Sequence, residues 1–252
     1  MDDRKQRDRQ FHQRTAHLYH STVVDPRDAG NRALFGPALK ALRALSRAPL
    51  RMLELGAGTG HMALRLRQLC GDITLVDHSP AMLDEARRRL HPAMPERTVK
   101  FCEADVGEWS SNAVAAGQRF DLVVTVGVLH HLDASEIRAL AGNVRALTAD
   151  DGLWLLAEPV RTDAAEPALL ARWNARYRRG FQLPWVGEEE PDEGPLDPQM
   201  LQDVLRNAGF VPVVERRGWE IFPRWGALHS LAAPVLDHLD RRSGPVHCGL
   251  YR

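Results

Sequence analysis

Residues 54–60 read Glu-Leu-Gly-Ala-Gly-Thr-Gly, with glycine at 56, 58 and 60. Glycine reaches backbone angles closed to other residues and puts no side chain between the main chain and a ligand, so this loop can turn sharply against a bound molecule. The spacing is G-x-G-x-G. A dinucleotide fingerprint asks for G-x-G-x-x-G, and position 61 is His61; a triphosphate loop asks for Lys-Ser/Thr, which is missing. Asp77 follows in Leu75-Val76-Asp77-His78-Ser79. Its carboxylate there can accept two hydrogen bonds from vicinal ribose hydroxyls, or simply mark a helix entry. Asp105, in Cys102-Glu103-Ala104-Asp105-Val106, can accept from an adenine amino group while Val106 packs on the ring, or face solvent in a turn. His130 and His131, in Val128-Leu129-His130-His131-Leu132, carry imidazoles with an ordinary pKa of about 6.5, suited to taking a proton from an acceptor. They could equally hold backbone or pack.

Short strands and helices must position these groups. Apolar runs at 50–56, 73–77, 99–105, 120–128, 153–158, 210–215 and 246–252 read as seven strands. Helical spacing or caps place helices at 34–46, 61–70, 79–90, 133–147 and 197–209, and a last one, interrupted near Pro234, at 226–242. Asp150-Asp151-Gly152 reads as a turn. Strand–helix alternation with short connections demands right-handed crossovers and a doubly wound, mostly parallel α/β sheet. In such sheets ligands bind beyond the carboxyl ends of the strands, where every residue named above falls. Residues 1–15 are polar and basic, a frayed helix or arm. Arg4, Lys5, Arg7 and Arg9 alternate with Asp2, Asp3 and Asp8, as in a solvated helix end rather than a polyanion-binding patch. Residues 159–196 break the alternation with Pro, Gly, Glu and Trp, and a connection this long suggests a lid over a substrate or a surface subdomain.

The 252 residues carry 33 Lys+Arg against 33 Asp+Glu, a formal charge of zero that argues against nucleic acid as partner. Cys70, Cys102 and Cys248 are too scattered for a disulfide framework or a Cys-rich zinc site; a reducing, cytoplasmic setting and no metal are expected. The first residues lack the apolar stretch of a secretory signal, and no run is long enough to span a membrane.

The ordered segments ELGAGTG, LVDHSPAML, CEADV, FDLVVTVGVLHHL and DDGLWLLAEP resemble the successive motifs of the class I S-adenosylmethionine-dependent methyltransferases, from about residue 50 to 159. The 197–252 tail is similar too. The resemblance implies a Rossmann-like, seven-stranded single domain. It divides into an N-terminal helical arm (1–46), a cofactor core (47–158), the 159–196 insertion and a helix–strand tail (197–252). It implies S-adenosylmethionine as cofactor, leaving as S-adenosylhomocysteine. Gly56, Ala57, Gly58 and Gly60 would wrap the methionine portion, Asp77 the ribose, and Asp105 with Val106 the adenine. Glu54 would orient the loop or reach the amino group through water, while His78, Met82, Gly127 and Leu129 would line the cofactor.

Methyl transfer from a sulfonium is an in-line displacement, so alignment is the main demand and a base is needed only for an acceptor that still holds its proton. His131, then His130, are the candidates for that base. Glu158, closing strand five, is a candidate substrate contact or a helix-entry acid. Tyr19, next to His20, is a candidate aromatic cover over the site or ordinary packing. Trp173, Tyr177 and Trp185 would reach the acceptor from the insertion. The expected acceptor is an oxygen or nitrogen of a small metabolite or peptide natural product, and the expected assembly a monomer or homodimer. An RNA or protein methyltransferase, a non-catalytic relative of the fold and a nicotinamide-dependent oxidoreductase are the alternatives. No N/D-P-P-aromatic motif or Pro-Cys nucleophile follows the relevant strands, which disfavours modification of nucleic-acid bases.

Overall fold

The computed structural model describes residues 3–22, 29–47, 49–161, 195–218 and 246–252. Among them, α1 (Asp3–Thr22) and α2 (Ala29–Leu45) precede β1 (Leu50–Leu55) and α3 (His61–Leu66). Next come β2 (Cys70–Asp77), α4 (Pro80–Ala93), β3 (Thr98–Glu103), α5 (Val106–Ala115) and β4 (Phe120–Val126). A 3-10 turn (Leu129–His131), α6 (Ala134–Leu147) and β5 (Thr148–Pro159) follow. The chain ends with α7 (Pro198–Asn207), β6 (Pro212–Gly218) and β7 (Val246–Tyr251).

The seven strands lie in the order β3-β2-β1-β4-β5-β7-β6. β1 to β5 are parallel, and β7 runs antiparallel to both its neighbours. The chain winds outward from β1 to β3 and returns on the other side at β4, so the switch point, where open sheets keep their crevice, lies between β1 and β4. Strand residues alternate between two buried faces. Met52, Leu122, Val124, Leu153 and Leu155 pack with α2, α3 and α4 residues, whereas Leu53, Leu55, Val123, Trp154 and Leu156 pack with α6 and α7 residues. Covering both faces explains why the central strands are apolar throughout rather than alternating.

Caps fix the helices that open onto the crevice. Ser79 accepts from Met82 N with Pro80 in the first turn, Asp105 accepts from Gly107 N and Glu108 N, and Asp133 forms a capping box with Glu136.

Four expectations change. Residues 3–15 do not fray: they belong to α1, which runs to Thr22 and buries Phe11, Thr15 and Ala16. Nor is its basic stretch a solvated end. Arg4 pairs with Glu136 at 2.7 Å, Lys5 with Glu136 at 2.7 Å and Asp105 at 3.0 Å, and Arg9 with Glu103 at 2.6 Å. These partners stand at the carboxyl ends of β3 and α6's first turn, so the alternating charges tie α1 across the strand ends. Asp150-Asp151-Gly152 is not a turn but an irregular part of β5, where the register slips between Phe120↔Thr148 and Leu122↔Leu153. β6 begins at Pro212, two residues later than expected. The expected helix at 226–242 and most of the insertion, residues 162–194, lie outside the described residues; at its two ends Val160 and Leu196 form a β-bridge.

Candidate functional site

Gly56, Gly58 and Gly60 all have positive φ, 66°, 49° and 72°. They serve different ends. A Cβ on Gly56 would run into Val128 Cγ2, and one on Gly60 would meet Leu90 Cδ1 at 3.0 Å. These two let the loop pack against β4's following segment and against α4. Among the described residues, a Cβ on Gly58 would meet no atom beyond its own chain neighbours within 4 Å. Its backbone N–H instead donates to Asp77 Oδ2 at 2.7 Å, while Asp77 Oδ1 accepts from Ser79 N at 2.8 Å. Asp77 thus locks the glycine loop to the start of α4, and each of its oxygens keeps a second lone pair for a ligand.

Glu54 is buried behind the loop and accepts from Ala63 N at 3.0 Å, fastening α3. Burial pushes its carboxyl up to about 8, helped by the charge of Asp77 and opposed by the amides of Ala63 and Met62. In the unfolded chain the group ionises near its ordinary 4.5, and in the native chain near 8, so between these values the native state holds more protons. Its contribution to stability is full below about pH 4.5 and declines as pH rises through 8. Wild type should therefore lose stability relative to Glu54→Gln between pH 5 and pH 8 in urea titrations; a pH-independent difference would refute it.

Asp105 caps α5 with Oδ1 and meets Lys5 through Oδ2. Burial raises its carboxyl, but Lys5 and the α5 amides outweigh that and hold it below the usual range. Val106 is half-buried beside it.

At the end of β5, Glu158 is fully buried. Oε1 accepts from Val128 N and Leu129 N, each at 2.9 Å; Oε2 lies 2.9 Å from His130 Nδ1 and accepts from His130 N at 3.4 Å. This corrects the expectation of a substrate contact. One carboxylate clamps the turn that carries both histidines, and its oxygens are spent on protein donors.

α1 closes the crevice with a group that spacing along the chain concealed. Asp8, only 6% exposed, has His12 Nδ1 at 3.1 Å, His131 Nδ1 at 3.2 Å and His78 Nε2 at 3.3 Å. Burial raises the Asp8 carboxyl; the His12 and His131 rings more than reverse this and hold it well below the usual range. The His12 ring also stands 5.6 Å from the Tyr19 ring and 5.6 Å from the His131 ring, and His130 and His131 are 4.0 Å apart.

Residues 52–152 match the methyltransferase domain family. Nodulation protein S of Rhizobium tropici is 32% identical over 114 residues, 44% of this chain and 44% of that protein. The ubiquinone biosynthesis O-methyltransferase of Cereibacter sphaeroides is 27% identical over 176 residues, 69% of this chain and 65% of that protein. The chain thus spans less than two thirds of the length of either relative. In fold, it aligns with magnesium protoporphyrin IX methyltransferase of Synechocystis, solved with bound S-adenosylhomocysteine, at a TM-score of 0.65 and 16% identity, over 99% of both chains. Residues 52–152 thus resemble a methyltransferase domain, and the chain as a whole shares the fold of that solved methyltransferase.

Within this methyltransferase fold the crevice gathers Glu54, the 56–60 loop, Asp77, His78, Asp105, Gly127 and both histidines at the strand ends. Gly127, at φ 67°, donates its N–H to Ala157 O and turns the chain toward His130. Met82 and Leu129 are buried almost completely; Leu129 contributes its backbone to the Glu158 clamp and its side chain to the core. The open space at Gly58, beside a carboxylate with spare lone pairs, fits an adenosyl ligand lying along the loop. Trp173, Tyr177 and Trp185 lie outside the described residues, as does the side chain of His20. Sequence reading missed Asp8, His12 and the ties of Lys5. The visible signal was Asp8-x3-His12, two ligating side chains four residues apart on one helix face.

Proposed function

We propose that the protein is an S-adenosylmethionine-dependent methyltransferase that hands a methyl group to an oxygen or nitrogen of a small metabolite or peptide. The observation carrying it is the Gly58–Asp77 pair: a left-handed glycine facing open space, braced by a carboxylate that retains acceptor capacity. When bound, S-adenosylmethionine supplies a methyl group already activated on a sulfonium. The chain's own tasks are then to hold, align and shield. Gly56, Ala57, Gly58 and Gly60 would lie along the methionine portion, Asp77 would accept from ribose hydroxyls, and Asp105 and Val106 would flank the base. Asp105 reaches that role only where it shares Oδ2 with Lys5 or releases it.

For an acceptor that arrives protonated, His131 is the proposed base. Its Nδ1 faces the Asp8 carboxylate at 3.2 Å, which favours the tautomer with a proton on Nδ1 and a basic Nε2. His130, with Nδ1 committed to Glu158, is the weaker candidate. Neutral overall charge favours a small acceptor over a polyanion, and the three free thiols fit a reducing, cytoplasmic setting. Among the described residues, no helix is long and apolar enough to cross a membrane.

Calorimetric titration with S-adenosylhomocysteine tests the cofactor reading, with a 1:1 isotherm expected; no binding would overturn it. His131→Ala should lower kcat by about 10²–10⁴-fold, the ordinary worth of a general base, and leave the cofactor Kd within about twofold. Equal turnover by the variant would remove His131 from the chemistry.

A further inference from the structure

Asp8 and His12 come from one face of α1, and His78 from the segment that follows β2. One ligating atom from each lies within 4.8 Å of the others. His12 Nδ1 stands 3.1 Å from Asp8 Oδ1 and His78 Nε2 stands 3.3 Å from Asp8 Oδ2. A tetrahedral ion with ligand bonds of about 2.0–2.1 Å separates neighbouring donors by about 3.3 Å. We propose that Asp8, His12 and His78 form a binding site for one divalent cation of the zinc class, at the seam between α1 and the core.

Charge argues the same way. Asp8 is buried, and a buried carboxylate is costly unless a full countercharge or several donors meet it. Among the described residues, the groups that meet its side chain are three imidazoles, with neither lysine nor arginine among them. A divalent ion on the same carboxylate would supply the countercharge directly, in place of the imidazole donors. Two imidazoles with one carboxylate suit zinc, iron(II), cobalt(II) or nickel(II), whereas magnesium and calcium favour all-oxygen sets. His131, 3.2 Å from Asp8 Oδ1, takes the place of an outer partner that orients the ligating carboxylate. The competing state needs no ion. His12 Nδ1 also lies 3.0 Å from the Asp8 carbonyl oxygen. As a hydrogen bond that contact requires N–H on the nitrogen that the ion would take as a lone pair, so the two states exclude each other.

The ion would join the arm to the core, and its presence is readable without any methyl transfer. Tag-free full-length protein, stripped with chelator, is titrated with zinc chloride in a calorimeter and with cobalt(II) in a spectrophotometer. One equivalent should bind, and the cobalt form should show the intense visible bands of a four-coordinate site. His12→Ala/His78→Ala should weaken zinc by about a hundredfold or more, because two of the three protein ligands are gone. Both side chains are only partly buried, so this variant keeps the test open if Asp8→Asn fails to fold. Zinc should also slow amide exchange across residues 3–22 in wild type alone. Zinc affinity no higher in wild type than in the double variant, or the pale spectrum of hydrated cobalt, would overturn the site. S-adenosylhomocysteine titrated into the stripped protein reports the cofactor crevice separately, so failure of one reading is distinguishable from failure of the other.

Discussion

Gly58→Arg should abolish binding of S-adenosylhomocysteine while the protein stays folded. Three alternating glycines look interchangeable, yet their surroundings separate them. At Gly56 any side chain must displace Val128, and at Gly60 it must push Leu90 and Ala86, so substitution there is expected to damage folding before it damages binding. At Gly58 no described residue beyond its chain neighbours stands within 4 Å of where a Cβ would lie. Arginine there carries the cost of a left-handed backbone, about 1–2 kcal/mol, and otherwise finds room. That room is where the ligand is expected. The long side chain would fill it and set a cation against Asp77, removing the acceptor meant for ribose. Calorimetry should show Kd rising by at least about a hundredfold, with circular dichroism and the thermal midpoint near those of Gly58→Ala. Gly58→Ala leaves the N–H donating to Asp77 and most of the space empty, so its affinity should fall far less. Normal affinity in Gly58→Arg would mean that the crevice lies elsewhere.

The glycine loop, Asp77 and the strand ends were legible in the sequence because each signal is local. Gly56 to Gly60 need only their own φ angles, Ser79-Pro80 and Asp133-x-x-Glu136 are caps written in adjacent residues, and the central strands announce two-sided burial by being apolar throughout. What stayed hidden depends on contacts across the fold. Glu158 reads as an exposed acid before a proline until β4 and β5 are laid side by side, and only then do the amides of 128–130 converge on it. Lys5 and Asp105 are 100 residues apart. Asp8, among arginines, looks like part of a solvated pattern; its burial follows from α1 crossing the strand ends, which no periodicity in a polar helix foretells. Polar residues gathered by topology are therefore what local signals in the sequence do not show.

Glu158→Ala should cost more stability than any other single change at the site and should disable turnover as well. The carboxylate meets Val128 N, Leu129 N and His130 N in one place, and holds His130 Nδ1 with the oxygen that faces it. Removing it strands at least two buried donors, at about 1–3 kcal/mol each, and leaves a cavity behind them. The urea midpoint should fall accordingly. Glu158→Gln keeps the volume but offers a single acceptor oxygen, and its amide N–H groups would confront backbone donors, so it should lie between Ala and wild type. Because Gly127 and the 3-10 turn aim His131 as well as His130, both variants should lower kcat more than they raise the Kd for S-adenosylhomocysteine, whose proposed contacts lie after β1 and β2. A substrate contact would behave otherwise: KM would rise and the urea midpoint would stay put. That outcome would return Glu158 to the acceptor pocket and leave the histidine turn without its anchor.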